Sequence, residues 1–204
     1  MNIGVLNYGM GNIKSVLNAI DAVGYDAHVV AAAEQLAELT HLIIPGVGAF
    51  GNAMANLASA ALLEAIHDHV QQGRPLMGVC LGMQLLATQG EEGGVNAGLD
   101  LIPGVVRHLE VDAPVPHVGW NALIHHQEHP IFQGVKKHVD FYFVHSYYFA
   151  AQDRRHVIAE TEYGASFPVV VGRDNIVGVQ FHPEKSQDNG LKILENFCEW
   201  DGRC

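Results

Sequence analysis

The spacing of apolar positions changes several times along the chain, and each change predicts an element. Residues 3–7 form a run of strand length that reads as buried. From Gly11 the period lengthens: Ile13, Val16, Leu17, Ile20 and Val23 share one helical face, and Gly24 is a stop signal. Residues 25–30 and 41–44 read as further strands, the latter ended by Pro45-Gly46. Leu62, Leu63, Ile66 and Val70 mark a helix that stops at Gly73. Residues 76–79 then predict a fourth strand, and residues 81–88 a helix that begins at once. Strands alternating with helices imply βαβ units, hence a mostly parallel sheet covered on both faces.

The second half reads differently. Short strand-like runs occur at residues 105–109, 120–124, 141–148, 157–162, 167–171 and 176–181, with Arg173-Asp174-Asn175 as a hairpin turn between the last two. A final helix carries Leu191, Leu194, Phe197 and Cys198 inward. No linker is rich in Pro, Gly or Ser, and no repeat is evident. The expected fold is therefore α/β: one domain over residues 1–204, with a mostly parallel central sheet, helices on both faces, and a smaller antiparallel extension. Residues 90–98, rich in glycine and acidic side chains, are the expected mobile loop.

Composition narrows the function. With 49% hydrophobic and 16% charged residues, the chain is globular rather than disordered. Its 22 acidic against 11 basic residues give a formal net charge of −11, and no basic patch suited to nucleic acid is visible. No apolar run approaches the roughly 18–20 residues that span a bilayer, and the N-terminus lacks a signal-peptide pattern. Three cysteines, Cys80, Cys198 and Cys204, have no metal spacing, and their odd number argues against a disulfide framework. A reducing, cytoplasmic setting follows, in which a lone central cysteine is free to be a nucleophile.

Gly78-Val79-Cys80-Leu81-Gly82-Met83-Gln84 puts such a cysteine where a buried strand turns into a helix. An elbow of this kind exposes the sulfur to backbone N–H groups and to the helix dipole, which favour thiolate. The same donors can hold an oxyanion. The plain alternative is a buried structural cysteine; the flanking glycines and the strand-to-helix switch favour the nucleophile. A base and its orienting group are offered by Gly178-Val179-Gln180-Phe181-His182-Pro183-Glu184, because residues two apart in an extended segment point to one side. Alone, His182 and Glu184 read equally well as loop residues after a strand. A third strand end, Ile44-Pro45-Gly46-Val47-Gly48, gathers on the same sheet edge, so Val47, Gly48 and Leu81 are candidate oxyanion donors.

Gly-x-Cys-x-Gly-x-Gln, the later His-Pro-Glu and the Pro-Gly-Val-Gly turn resemble class I glutamine amidotransferases, from the first strand to the final helix. Four segments resemble the branch that serves histidine biosynthesis: Asn7-Tyr8-Gly9-Met10-Gly11-Asn12, Pro45-Gly46-Val47-Gly48, Pro116-His117-Val118-Gly119-Trp120-Asn121, and Phe141-Tyr142-Phe143-Val144-His145-Ser146-Tyr147. The resemblance implies a flavodoxin-like sheet and hydrolysis of L-glutamine through a thioester on Cys80, with His182 and Glu184 completing a triad. It implies glutamine binding by Gly48, Gln84, His145 and Ser146, and needs neither metal nor cofactor. It further implies a heterodimer with a (β/α)₈-barrel cyclase, faced by Asn12, Trp120 and Lys185. There the ammonia would yield imidazole glycerol phosphate and an aminoimidazole carboxamide ribotide. Met10 replaces a smaller or proline-like residue of some relatives, and Val118 stands where methionine is frequent.

Other signals carry less. Gly9-Met10-Gly11-Asn12 lacks the third glycine of a dinucleotide fingerprint, since Lys14 occupies that place, and Asp26 is a loose match for a ribose-binding acid. His125-His126-Gln127-Glu128-His129 reads as a solvated loop and His67-Asp68-His69 as an exposed helix end, not as metal sites. The aromatic run 141–149 reads as a core strand rather than a nucleotide-stacking surface. Three alternatives stay open: the glutaminase subunit of anthranilate or aminodeoxychorismate synthase, disfavoured by Val47 and Met83; a cysteine hydrolase of peptides; and a non-catalytic binding subunit.

Overall fold

The computed structural model describes residues 1–203; Cys204, expected to be an inert thiol at a frayed end, lies outside the described residues. In chain order the elements are β1 (Ile3–Leu6), α1 (Ile13–Ala22), β2 (Ala27–Val30), α2 (Ala33–Leu36), β3 (His41–Ile44), α3 (Phe50–Ser59), α4 (Leu63–Gln71), β4 (Leu76–Val79) and α5 (Leu81–Leu85). They continue as β5 (Gln89–Gly90), β6 (Asn96–Ala97), β7 (Gly104–His108), β8 (His117–Ala122), β9 (Ile124–His125), β10 (Asp140–His145) and β11 (Tyr147–Ala151). The last are β12 (Val157–Glu162), β13 (Ser166–Arg173), β14 (Ile176–Val179) and α6 (Gln187–Glu199).

Eight strands make the main sheet, in the order β2-β1-β3-β4-β14-β13-β12-β9. From β2 to β14 every pairing is parallel; β13, β12 and β9 extend it antiparallel. β1, β3, β4 and β14 are buried along their whole length and almost wholly apolar without alternation, whereas the edge strand β2 exposes His28 and Val29. Consecutive side chains then serve opposite cores. Ile3, Val5, Ile43, Met77 and Val79 join α1 and α6 through Val16, Ile20, Ile193 and Phe197. Leu6, Leu42, Ile44 and Leu76 face the other way, onto α2 to α5 through Leu36, Leu57, Ile66 and Leu85. The expected α/β architecture with helices on both faces is what the chain adopts, and the antiparallel extension is present as the three added strands and two small sheets, antiparallel except where β5 pairs with β7.

Several local expectations change. The run 141–148 is two strands, broken at Ser146: β10 pairs with β8, and β11 pairs with β7 in a separate four-stranded sheet. The break lets Phe141 and Phe143 enter the α1/α6 core while Phe149 enters the opposite one. The run 120–124 likewise divides into β8 and β9. Residues 90–98, expected as a mobile loop, include the β5–β6 hairpin, and Glu92 Oε2 accepts the N–H of Phe50 at 2.8 Å. His69 is buried rather than exposed, its Nε2 bonded to Pro75 O at 3.0 Å. In the expected solvated loop at 125–129, His129 is buried against the Trp200 ring at 4.9 Å.

Candidate active site

Adjacent strands β1, β3, β4 and β14 run parallel, so their C-terminal ends open on one edge of the sheet. That edge is where such sheets bind ligands. β4 ends at Cys80, β14 leads into Gln180-Phe181-His182, and β3 leads into Pro45-Gly46-Val47-Gly48. Pairing alone thus sets the three candidate segments side by side.

Cys80 is held at φ 55°, ψ −110°, a conformation that a non-glycine residue reaches only under strain. Its neighbours explain how. A Cβ on Gly82 would collide with the carbonyl of Ile44, and one on Gly78 would stand 2.5 Å from Gly82 O. Glycines at both positions let α5 start directly against β3 and β4. Cys80 N donates to Val179 O at 2.8 Å, tying the elbow to β14. Met83 N and Gln84 N donate to Cys80 O at 3.1 and 3.3 Å, whereas the N–H groups of Leu81 and Gly82, first in α5, have no partner within the helix.

His182 Nδ1 lies 2.9 Å from Glu184 Oε1, and both side chains are 2% exposed. Glu184 Oε2 and His182 Nε2 are buried without a hydrogen bond of their own in the resting geometry. Burial works against a charged His182 ring, but the neighbouring sulfur of Cys80 and the hydrogen-bonded carboxylate of Glu184 outweigh it and push its pKa up to about 9. The ring is therefore cationic near neutrality, with Glu184 on one side and the sulfur on the other. His117 and His145 behave oppositely: burial holds each down to about 4, so both are neutral. They are bonded to each other, Nδ1 of His117 to Nε2 of His145 at 3.0 Å.

A cleft of about 300 Å³ opens here, lined by Val47, Gly48, Cys80, Leu81, Gln84, Glu92, Val144, His145, Ser146, Tyr147, His182 and Lys185. Every residue singled out from the sequence for catalysis, oxyanion binding or glutamine binding lines it, except Glu184, which sits behind His182. Of the three expected partner-facing residues, Lys185 lines the cleft; Asn12 and Trp120 do not, and both are exposed on the surface. Larger clefts flank residues 127–137, Arg173 and residues 107–111; of the cysteines, serines and threonines only Ser166 lines one of them, beside Arg107 and Glu91. Among the described residues no cluster of three or more His, Cys, Asp or Glu is arranged to hold a metal ion. No described helix is long and apolar enough to cross a membrane.

Sequence reasoning missed three contributors. Glu92 brings a carboxylate to the cleft from the segment read as a mobile loop. Tyr8, buried at the end of β1, donates to Pro45 O at 2.7 Å and so pins the turn that carries Val47 and Gly48. Gln180 is fully buried beside the sulfur. The period-two rule that picked out His182 also picks out Gln180, two residues earlier on the same side.

Comparison with known proteins agrees with this geometry. The family model "Glutamine amidotransferase class-I" matches residues 4–200. The chain is 47% identical over 197 residues to the imidazole glycerol phosphate synthase subunit HisH of Moorella thermoacetica, covering 97% of this chain and 94% of that one. It is 45% identical over 194 residues to HisH of Aquifex aeolicus, covering 95% and 94%. Among solved structures, a glutamine amidotransferase superposes with a TM-score of 0.73 at 22% identity, covering 96% and 98% of the two chains. A PurLQS chain from Thermotoga maritima gives 0.77 at 17% identity, covering 97% of each. The chain belongs to the class I glutamine amidotransferases and, within them, to the family of the imidazole glycerol phosphate synthase subunit HisH.

Proposed function

We propose that this chain, acting as one domain, is the glutaminase subunit of an imidazole glycerol phosphate synthase. It hydrolyses L-glutamine and hands the ammonia to a separate (β/α)₈-barrel cyclase, with which it forms a heterodimer. The observation that carries this reading is the single cleft in which the strained Cys80 stands with His182 backed by buried Glu184.

The chemistry follows from those positions. The Cys80 thiolate attacks the side-chain amide carbon of glutamine, and the carbonyl oxygen takes up negative charge. N–H groups of Leu81 and of the Val47–Gly48 turn meet that charge. As the C–N bond breaks, His182 gives its proton to the leaving nitrogen, which departs as ammonia and leaves a glutamyl thioester. His182, now neutral, takes a proton from water as the water attacks the thioester carbon. The S–C bond breaks, glutamate leaves, and thiolate and imidazolium are restored. Glu184 holds the ring by Nδ1 throughout. Gly48, Gln84, His145 and Ser146 bind the amino-acid portion, with the Glu92 carboxylate as a counter-charge for its ammonium group.

The cleft mouth supports a protein partner. Val118 and Val144 pair directly across β8 and β10, and Trp120 pairs with Tyr142 on the same face. Val118 is 53% exposed, Trp120 47% and Val144 37%, an apolar face that continues into the cleft through Val144. Lys185 Nζ stands 6.0 Å from the Tyr142 ring centre at this border. With exposed Asn12, which precedes α1 beyond the C-terminal end of β1, these residues make up the surface assigned to the cyclase. The free thiols Cys80 and Cys198 suit a reducing cytoplasm. Val47 and Met83 distinguish the chain from the anthranilate and aminodeoxychorismate branches, which carry proline and histidine there.

The test is glutamate release from glutamine by the chain alone, then with the cyclase and its ribonucleotide substrate. A large rise with both is expected. Steady hydrolysis with no rise would sink the partner assignment, and no hydrolysis under any condition would sink the glutaminase reading.

A further inference from the structure

We propose that Gln180 is a further catalytic residue, whose carboxamide N–H donates to the Cys80 sulfur and stabilises it as a thiolate. This rests on the reading of Cys80 as the nucleophile.

The direction of every bond in the network behind the sulfur is forced by one atom. Tyr147 O is a carbonyl and can only accept. The Gln84 atom 3.1 Å from it must therefore be Nε2. The second hydrogen of that Nε2 points at Gln180, 3.0 Å away, so the Gln180 atom there must be Oε1. The remaining end of the Gln180 amide, Nε2, then faces Cys80 Sγ at 3.7 Å. The same carbonyl receives Nδ1–H of His145 at 2.8 Å, which makes His145 Nε2 an acceptor for His117. Flipping the Gln180 amide would set N–H against N–H, so the donor at the sulfur is fixed by bonds made elsewhere.

Position and burial agree. Gln180 N donates to Val169 O at 2.8 Å, which keeps the segment extended beyond β14. Val179 and Phe181 point into the apolar core on one side of the sheet. Gln180 instead turns its amide to the sulfur and to Gln84. Besides His182, the sulfur meets Val144 O at 3.9 Å, a contact that suits a thiol but repels a thiolate. A charged sulfur at this place needs donors, and Gln180 supplies one that solvent cannot compete for, since its side chain is wholly buried. Hydrogen bonds to an ion in such a place are stronger than neutral ones. Sulfur is a weak acceptor, so losing this one should lower thiolate reactivity about 5–20-fold.

The test is the rate at which iodoacetamide alkylates Cys80, read by mass spectrometry of the full chain between about pH 6 and pH 9, with thermal melts as a check of folding. In wild type, Cys80 should react well faster than a cysteine in an unstructured peptide. Gln180→Leu should react about 5–20-fold more slowly near pH 7. Gln180→Glu keeps the shape and the acceptor for Gln84 but loses its donor on ionising. Its rate should fall further behind wild type as pH rises. A merely structural role predicts that glutamate behaves as wild type at every pH. Rates of both variants within twofold of a fast wild type would overturn the role of Gln180. A wild type no faster than the peptide would overturn the nucleophile reading instead, and this inference with it.

Discussion

Replacing Glu184 by glutamine removes one buried charge and leaves a side-chain oxygen for His182 Nδ1 to bond. The pair is 2.9 Å apart and each side chain is 2% exposed, so solvent does little to screen the loss. A hydrogen bond to a buried charged group contributes about 1.5–3 kcal/mol, or roughly 1–2 pKa units at about 1.4 kcal/mol per unit. His182 stands at about 9 because Cys80 and Glu184 together outweigh burial. Without the carboxylate it should fall to roughly 7.5, taking the middle of that range. Near pH 8.5 about three-quarters of wild-type rings would carry the proton that departing ammonia needs, against roughly one-tenth in the variant. Near pH 6.5 almost all rings are charged in both. Glu184→Gln should therefore lose about eightfold in kcat near pH 8.5 and less than about twofold near pH 6.5, with its alkaline limb moved down. The assay is glutamate release across pH, with the cyclase and ribonucleotide saturating. A loss of equal size at every pH would show that Glu184 acts through position rather than charge and would refute this reasoning.

Two further outcomes follow from buried groups near the cleft. Tyr8→Phe removes the donor to Pro45 O; one buried carbonyl left unpaired costs about 1–3 kcal/mol, so urea unfolding should move by that much, and kcat should fall more than KM rises, because the turn loosened is the one carrying Val47 and Gly48. Equal kcat in the variant would remove that turn from the oxyanion role. Acid should destabilise the fold early. His117, His129 and His145 are held down to about 4 by burial, whereas the unfolded chain has them near 6.5. Their stabilisation is thus full above about pH 6.5 and lost as pH falls toward about 4, by up to about 3 kcal/mol each and less for the bonded pair His117–His145. Urea unfolding of the Cys80→Ala protein, which leaves these sites intact, should show a drop of several kcal/mol between about pH 7 and pH 5; a flat profile would mean that the three rings are not buried neutral.

The parts of the fold that place the chemistry were legible because parallel strands buried on both faces are short continuous apolar runs. β3, β4 and β14 are of that kind, and each is followed by a glycine-bearing or polar motif. What stayed hidden depends on partners distant in sequence. Helix α3 begins Phe50-Gly51-Asn52, poor helix formers, and its first N–H is satisfied by Glu92 from 42 residues away. The break at Ser146 follows from the two cores on opposite faces of the sheet, which no local period records. His69 and His129 stand among polar neighbours, so nothing local announces that Pro75 O and the Trp200 ring bury them. Within the candidate site, Cys80, His182 and Glu184 were legible as two motifs. Tyr8 was quoted only as part of a motif, since its hydroxyl finds Pro45 O 37 residues later.

The central claim is that Cys80 forms a bond to glutamine, and trapping that bond tests it most directly. The His182→Asn variant lacks both the acid that helps ammonia leave and the base that activates water, so the thioester should form slowly and, once formed, persist. After incubation with glutamine and an acid quench, mass spectrometry of the peptide holding Cys80 should show the gain of one glutamyl group. The adduct should be absent when Cys80 is also replaced by alanine. A glutamyl group on any other residue, or glutamate released at the wild-type rate by Cys80→Ala, would contradict the account.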